Sequence, residues 1–127
     1  MIKGVGIDLV EVTRIARAME NERFIERIFT PAEQALLAER GHDPVRAAGM
    51  FAAKEAVAKA LGTGFGPVGW QEIEVLREEN GAPFAVLSGA AKALAGGDRV
   101  HVSISSERQM AAAVAVIETG DEDEIRG

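Results

Sequence analysis

Three residues have the types and spacing that phosphate chemistry needs, namely Asp8, Glu55 and Lys59. Glu55 and Lys59 are four residues apart in an alanine-rich stretch, so in a helix they share one face and lie one turn from each other. Two carboxylates from different elements that leave room for substrate phosphates are a common way of holding Mg²⁺. A neighbouring ammonium group can then neutralise a phosphate oxygen. The three residues therefore suggest a magnesium site for a phosphate-bearing substrate.

Simpler roles for the same residues stay open at this point. Asp8 has the type of a helix N-cap or turn residue, and Glu55 with Lys59 could form a weak ion pair on an exposed helix face. The alanines around Glu55 favour the first interpretation, because a slim alanine-rich helix is typical of one that is packed against other elements.

The first half of the sequence predicts one strand followed by helices. Residues 2–9 form a short apolar run that we expect to be a buried strand ending at Asp8. Short helices are expected over residues 12–19 and 23–29. Thr30-Pro31-Ala32-Glu33 has the form of a capping box for a helix that runs to about Arg40. Asp43-Pro44 starts the longest helix, which ends near Leu61 before the glycine loop.

The second half predicts mainly strands. Residues 73–77 and 83–87 flank Asn80-Gly81, a strong hairpin signal. Ser88 should cap a short helix over residues 89–95, and strands should follow over 100–105 and 111–117. The predicted fold class is α+β, with helices mainly in the N-terminal half packed on a small antiparallel sheet formed by the first strand and the C-terminal strands.

Length and composition predict one domain, residues 1–119, followed by an acidic tail over 120–127 that we expect to be disordered. The chain has 127 residues and no cysteine, which excludes disulfides and thiol chemistry. No segment approaches the ~20 apolar residues of a membrane span, and the N-terminus lacks the pattern of a signal peptide. We therefore expect a soluble cytoplasmic protein without a membrane partner. The net charge of −6 argues against general binding of nucleic acid.

The glycine loop, Gly62-Thr63-Gly64-Phe65-Gly66, follows a predicted helix. A nucleotide-binding fingerprint must instead follow a strand and open a helix, so the position of the loop argues against a Rossmann or P-loop role. We expect this loop to cap the helix and to form the flexible rim of a pocket.

Several motifs span nearly the whole chain and carry a resemblance to one family. They are Gly6-Ile7-Asp8-Leu9-Val10-Glu11-Val12, Thr30-Pro31-Ala32-Glu33, Phe51-Ala52-Ala53-Lys54-Glu55-Ala56 with Lys59, Gly62-Thr63-Gly64, and Val102-Ser103-Ile104-Ser105. In this order they resemble the holo-acyl-carrier-protein synthases, the small bacterial 4′-phosphopantetheinyl transferases. The resemblance implies transfer of phosphopantetheine from coenzyme A to a serine of apo acyl carrier protein, with release of adenosine 3′,5′-bisphosphate and a requirement for Mg²⁺. It also implies a homotrimer with active sites between protomers.

The resemblance also implies roles for individual residues. Asp8 and Glu55 would be the metal ligands, and Glu55 and Lys59 the catalytic residues. The residues expected to bind coenzyme A are Lys59, Arg46, Gly62, Gly64, Ser105 and Ser106.

Two positions depart from the family pattern. Ser106 stands where the family usually has histidine, and Met50 stands where it usually has arginine. His101 cannot replace the first, because five residues along a strand is ~16 Å and an odd offset points to the opposite face. Arg46, one turn before Met50, is the candidate to supply the missing cation.

The expected mechanism is metal-assisted phosphoryl transfer, with Mg²⁺ against Asp8 and Glu55 and with Lys59 as a second positive charge. The attacking serine would lose its proton either to Glu55 or to a metal-held water. The rival functions are a non-catalytic module that binds coenzyme A or the carrier protein, and another Mg²⁺-dependent enzyme that acts on a pyrophosphate.

A basic surface is needed if the partner is a strongly acidic carrier protein. The candidates lie in the first two predicted helices and are Arg14, Arg17, Arg23 and Arg27. Within each predicted helix the two arginines are one turn apart and can present two cations to one patch. The alternative is that they pair with Glu20, Glu22 and Glu26 on a solvated surface.

Overall fold

Five helices and five strands follow one another along residues 1–120, which are the residues that the computed structural model describes. Beyond residue 120, the expected acidic tail lies outside the described residues. A single 3₁₀ turn, Trp70–Glu72, precedes the second strand. In chain order the elements are β1 (Ile2–Glu11), α1 (Val12–Ala18), α2 (Glu22–Ile28), α3 (Pro31–Glu39), α4 (Pro44–Ala60), β2 (Ile73–Arg77), β3 (Pro83–Leu87), α5 (Gly89–Ala95), β4 (Arg99–Ser106) and β5 (Met110–Glu118).

The strands form two antiparallel sheets. One has the order β1-β5-β4, and the other is the hairpin of β2 and β3. The α+β prediction is confirmed, since the first strand pairs with the C-terminal strands and the first four helices precede β2. Among residues 1–120, no helix combines the length and the apolar character needed to cross a membrane.

The α4 helix packs unusually close to β1. The inner face of β1 carries Gly4 and Gly6, and a Cβ atom added there would lie 2.0 Å from the carbonyl oxygen of Ala60 and 1.9 Å from that of Ala56. Only residues without a side chain permit this distance, and the small alanines of α4 complete the fit. Most of α4 is buried, as the alanine-rich sequence predicts.

Two expectations for β1 were wrong. The strand does not end at Asp8 but continues to Glu11, and it is not buried on both faces. The side chains of Val5, Ile7 and Leu9 are 61%, 64% and 66% exposed. The reason is that no other element of the described chain covers the outer face of this antiparallel sheet. Glycine on the inner face of β1 also hides the alternation that usually reveals a half-buried strand.

The predicted helix caps are confirmed with one exception. Thr30 Oγ1 accepts a hydrogen bond from the Glu33 amide at 3.1 Å, and Glu33 Oε1 accepts one from the Thr30 amide at 2.8 Å. Asp43 caps α4. Ser88, however, makes no side-chain cap at α5. Glu72 replaces it from 18 residues away, because its Oε2 accepts a hydrogen bond from the Ala90 amide at 2.5 Å.

Candidate active site

Asp8 lies on the inner face of β1, two residues after Gly6, and faces α4. Lys59 Nζ donates hydrogen bonds to Asp8 Oδ1 at 3.2 Å and to the Ile7 carbonyl oxygen at 3.0 Å. The Asp8 side chain is 14% exposed. Its other oxygen, Oδ2, is buried and has no hydrogen-bond partner among residues 1–120. Such an oxygen is costly to bury without a partner, so it is available to a ligand.

Glu55 is close enough to Asp8 for the two charges to interact. Burial, and after it the negative charge of Asp8, raise the pKa of the Glu55 carboxyl, while the charges of Lys59 and Arg14 oppose the shift. In the described part of the chain the Glu55 carboxylate makes no hydrogen bond. A carboxylate with a raised pKa accepts a proton more readily than an ordinary one.

The donor set fits a magnesium ion. Asp8 and Glu55 offer carboxylate oxygens, which are the ligands that Mg²⁺ prefers, and the unpartnered Oδ2 of Asp8 is the observation that supports the fit. Residues 1–120 contain no group of three His, Cys, Asp or Glu side chains able to hold a metal. The remaining ligands would therefore come from substrate or water, which is the usual arrangement for Mg²⁺.

The glycine loop begins at Gly62, after α4 ends at Ala60 and Leu61 caps it. Gly62 and Gly64 have φ values of 84° and 64°, and their amides donate hydrogen bonds to the carbonyl oxygens of Lys59 and Ala58. Apart from each glycine's chain neighbours, no atom of residues 1–120 lies within 4 Å of the place where a Cβ would stand at either position. The loop therefore leaves open space next to Lys59, and its role as a pocket rim stays a prediction.

A ladder of stacked aromatic rings connects this loop to the helices. Phe65 stacks on Trp70 with ring centroids 3.6 Å apart, and Trp70 stacks on Phe51 at 5.0 Å. Phe24 of α2 continues the ladder at 6.2 Å from Phe51. Phe51 is one turn before Glu55 in α4. The ladder therefore connects the glycine loop to the helix that carries Glu55.

The four arginines expected to bind a partner lie exposed on α1 and α2. None of them makes an ion pair within residues 1–120, so the alternative that they pair with neighbouring glutamates is not realised there. Arg14 and Arg17 line a cleft of about 380 Å³, and Arg23 and Arg27 line one of about 470 Å³. Ala18 lines both clefts, which makes the arginine surface continuous.

Arg14 also interacts with residues of α4, which the spacing along the chain did not indicate. Its guanidinium lies 5.8 Å from the centre of the Phe51 ring, and its charge acts on Glu55. Arg14 therefore links the surface formed by the four arginines to the carboxylates. The packing of α1 on α4 brings it there.

Three residues predicted to bind coenzyme A do not join Asp8 within one chain. Arg46 is nine residues before Glu55, which is two and a half helical turns and places it on the other side of α4. Burial lowers the pKa of Arg77, and the positive charge of Arg46 lowers it further. The residue of β4 level with Asp8 is Ile104, two strands away at about 10 Å. Ser105 and Ser106 lie beyond it on opposite faces. Met50, in place of the family arginine, is buried in the core.

Comparisons with known proteins agree on one family. The model of the 4′-phosphopantetheinyl transferase superfamily matches residues 4–115. The chain is 47% identical to the holo-[acyl-carrier-protein] synthase of Alkaliphilus metalliredigens, over 91% of this chain and 98% of that protein. It is 49% identical to that of Solidesulfovibrio magneticus, over 93% and 99%. Among solved structures, a holo-(acyl-carrier-protein) synthase from Bacillus anthracis in complex with CoA (3′,5′-ADP) superposes with a TM-score of 0.81 at 37% identity, covering 94% of this chain and 99% of that one.

Proposed function

The chain belongs to the 4′-phosphopantetheinyl transferase superfamily, and from this premise we propose how its residues carry out the reaction of a holo-[acyl-carrier-protein] synthase. The enzyme transfers 4′-phosphopantetheine from coenzyme A to a serine of apo acyl carrier protein. The serine oxygen forms a bond to the phosphorus that bears the pantetheine arm. The bond from that phosphorus to the bridging oxygen breaks, and adenosine 3′,5′-bisphosphate leaves.

Asp8 and Glu55 are the residues that would hold Mg²⁺. When bound, Mg²⁺ would offset the charge of the pyrophosphate and of the leaving bisphosphate. The single observation that carries this assignment is the buried, unpartnered Oδ2 of Asp8 beside a carboxylate of raised pKa. A divalent cation bound by both carboxylates would relieve the repulsion by Asp8 that contributes to the raised pKa of Glu55.

Glu55 is the proposed acceptor of the serine proton. Its carboxylate makes no hydrogen bond within residues 1–120 and can therefore accept one from the serine, while a metal-held water is the other route that the sequence leaves open. Lys59 is placed to bind a phosphate oxygen, since its ammonium is half exposed and already faces Asp8. Gly62 and Gly64 would let the phosphates approach the backbone next to Lys59.

The carrier protein would dock on the arginine surface of α1 and α2. Carrier proteins are acidic, and the four arginines have no carboxylate partners of their own in the described chain. Arg14 is the member of this surface whose charge acts on Glu55. A carrier protein seated there would present its serine toward the carboxylates, and we expect the reaction to take place in the cytoplasm.

The exposed outer face of the three-stranded sheet supports a homotrimer. Val5, Ile7 and Leu9 stand on this face of β1, next to the half-buried Val114 and Val116 of β5. Such an apolar patch is typical of an interface. If another copy covers this face, Ser105, which lies on it, can reach a neighbouring site although it does not reach Asp8 of its own chain, whereas Ser106 lies on the opposite face.

Incubation with coenzyme A, Mg²⁺ and apo carrier protein, followed by mass spectrometry of the carrier protein, tests the proposal. We expect the carrier protein to gain one phosphopantetheine group, and we expect Asp8→Asn and Glu55→Gln to abolish the gain while retaining the circular dichroism of the parent. Binding of coenzyme A without transfer would instead support the non-catalytic module. Full activity in both variants at limiting Mg²⁺ would overturn the assignment of the metal ligands.

A further inference from the structure

Lys54, the residue before Glu55, forms a fully buried ion pair with Glu33 of α3. The side chains of both are 0% exposed. Lys54 Nζ donates hydrogen bonds to Glu33 Oε1 at 2.8 Å, to Glu33 Oε2 at 3.1 Å and to the Ile73 carbonyl oxygen at 2.6 Å. These three acceptors match the three protons of an ammonium group. Burial lowers the pKa of Lys54, and the charge of Glu33 opposes that shift.

Glu33 adds two backbone contacts to the network. Its Oε1 accepts a hydrogen bond from the Thr30 amide at the start of α3, at 2.8 Å. Its Oε2 accepts one from the Val75 amide of β2, at 2.7 Å. One buried pair thus ties α3, α4 and β2 together through directional contacts.

Stability alone is a poor explanation for this network. Buried ion pairs are expensive to desolvate, and well-packed apolar residues often stabilise a fold as well or better. A directional network is useful instead where the orientation of an element matters.

The orientation of α4 matters because Glu55 depends on it. The Glu55 carboxylate makes no hydrogen bond within residues 1–120, so the helix alone sets its direction. The α4 residues that pack closely on β1 are small, and the bonds of Lys54 add a directional constraint on rotation to that contact. Lys54 lies about 100° from Glu55 around the axis, and its bonds fix that rotation from the side of β2 and α3.

A small rotation would be enough to disturb the site. A side chain reaches about 6 Å from the helix axis, so a rotation of about 10° moves the Glu55 carboxylate by about 1 Å. A displacement of this size can cost on the order of 10²-fold in rate.

We propose that the Lys54–Glu33 pair is a positioning device that holds the rotation of α4 so that Glu55 faces Asp8. Lys54 and Glu33 are positioning residues, because both side chains are fully buried and neither makes a hydrogen bond or ion pair with Asp8 or Glu55 in the described chain. The proposal rests on the function proposed above and adds residues that the two metal ligands need.

The test compares two variants with a matched control. Lys54→Met removes all three hydrogen bonds at similar volume. Lys54→Met combined with Glu33→Gln avoids an unpaired buried charge while still lacking the bonds from α4, which keeps the test valid if the single variant folds poorly. Leu37→Ala, in a fully buried position one turn after Glu33, serves as a variant with a weakened core and an intact pair.

The readouts are the affinity for Mn²⁺, measured by electron paramagnetic resonance, and the steady-state rates, both at a temperature where all variants are folded. We expect both Lys54 variants to bind Mn²⁺ about tenfold more weakly than the parent, as is usual when support of a metal ligand is lost. We expect kcat to fall by on the order of 10²-fold with little change in the KM for carrier protein. Leu37→Ala should lose thermal stability but keep both values near those of the parent.

Two outcomes separate this proposal from the proposed function. If the parent transfers phosphopantetheine and the double variant matches Leu37→Ala in Mn²⁺ affinity and kcat, the positioning role is overturned and the proposed function stands. If the parent shows no transfer, the proposed function fails, and the Mn²⁺ titration alone still decides whether the pair positions the carboxylates.

Discussion

Replacement of Gly6 by alanine is the sharpest test of the close contact between β1 and α4. The new Cβ would stand 1.9 Å from the carbonyl oxygen of Ala56 and 2.8 Å from the amide nitrogen of Ala60. Both atoms belong to the helix backbone and cannot rotate away. Strand and helix must therefore move apart.

The size of the movement follows from the same distances. Real Cβ atoms essentially never approach another heavy atom within 3.0 Å, so the gap at Gly6 must widen by at least 1.1 Å, which is 3.0 Å less 1.9 Å. Asp8 is two residues further on the same face of β1 and should shift by a similar distance from Glu55. A misplacement of about 1 Å predicts a loss of on the order of 10²-fold in kcat, and overpacking of this kind costs about 1–3 kcal/mol of unfolding free energy.

The assay is the rate of phosphopantetheine transfer at saturating coenzyme A, with thermal unfolding measured in parallel. Gly97→Ala is the matched control, because in the described part of the chain a Cβ at Gly97 would meet no atom within 4 Å other than those of its chain neighbours. Both variants should be assayed well below their unfolding midpoints. If Gly6→Ala turns over within threefold of Gly97→Ala, the closeness of β1 to α4 does not set the distance between the two carboxylates and the reasoning is refuted.

Three further predictions concern other parts of the molecule. Because burial and a neighbouring carboxylate raise the pKa of Glu55, its ionised form opposes folding, so Glu55→Gln in metal-free protein should raise the unfolding midpoint at about pH 7.5. That gain should disappear as the pH falls below the ordinary carboxyl value of 4.5, and equal gains at both pH values would contradict it. Ser106→His should raise turnover, by on the order of 10²-fold if histidine there helps to deprotonate or orient the serine, whereas an unchanged rate would show that the chain does not need it. Reversing charge at Arg23 and Arg27 should raise the KM for carrier protein and weaken its salt dependence, with the KM for coenzyme A nearly unchanged. The exposed Arg40→Glu variant is the control, and a double variant that matches it would place docking on another face.

Local signals in the sequence were sufficient for much of the fold. The capping box at Thr30 and Glu33 and the turn at Asn80-Gly81 act within a few residues, so their chemistry can be read from the chain alone. The exposed face of β1 could not be predicted in this way, because whether a strand is covered depends on its place in the sheet. The cap that Glu72 gives to α5 spans 18 residues and leaves no local pattern.

The candidate site also combines features that the sequence predicts with others that only the packing shows. The spacing of Glu55 and Lys59 indicates a shared helix face, and the structure brings Asp8 to that face. The burial of Lys54 against Glu33 was not predictable from the sequence. The capping box already explains Glu33, and a lysine next to Glu55 would be expected to be exposed to solvent. Only the packing of α3 on α4 and β2 shows that one carboxylate serves both purposes.

The aromatic ladder has a practical consequence for spectroscopy. The chain contains one tryptophan and no tyrosine, so its ultraviolet emission arises almost entirely from Trp70. That indole stacks on Phe65 within the glycine loop and on Phe51 at 5.0 Å in the helix of Glu55. A change of loop position would alter the surroundings of a single fluorophore, without any label or substitution. The protein thus contains its own optical reporter for stopped-flow measurements of how the loop responds to coenzyme A.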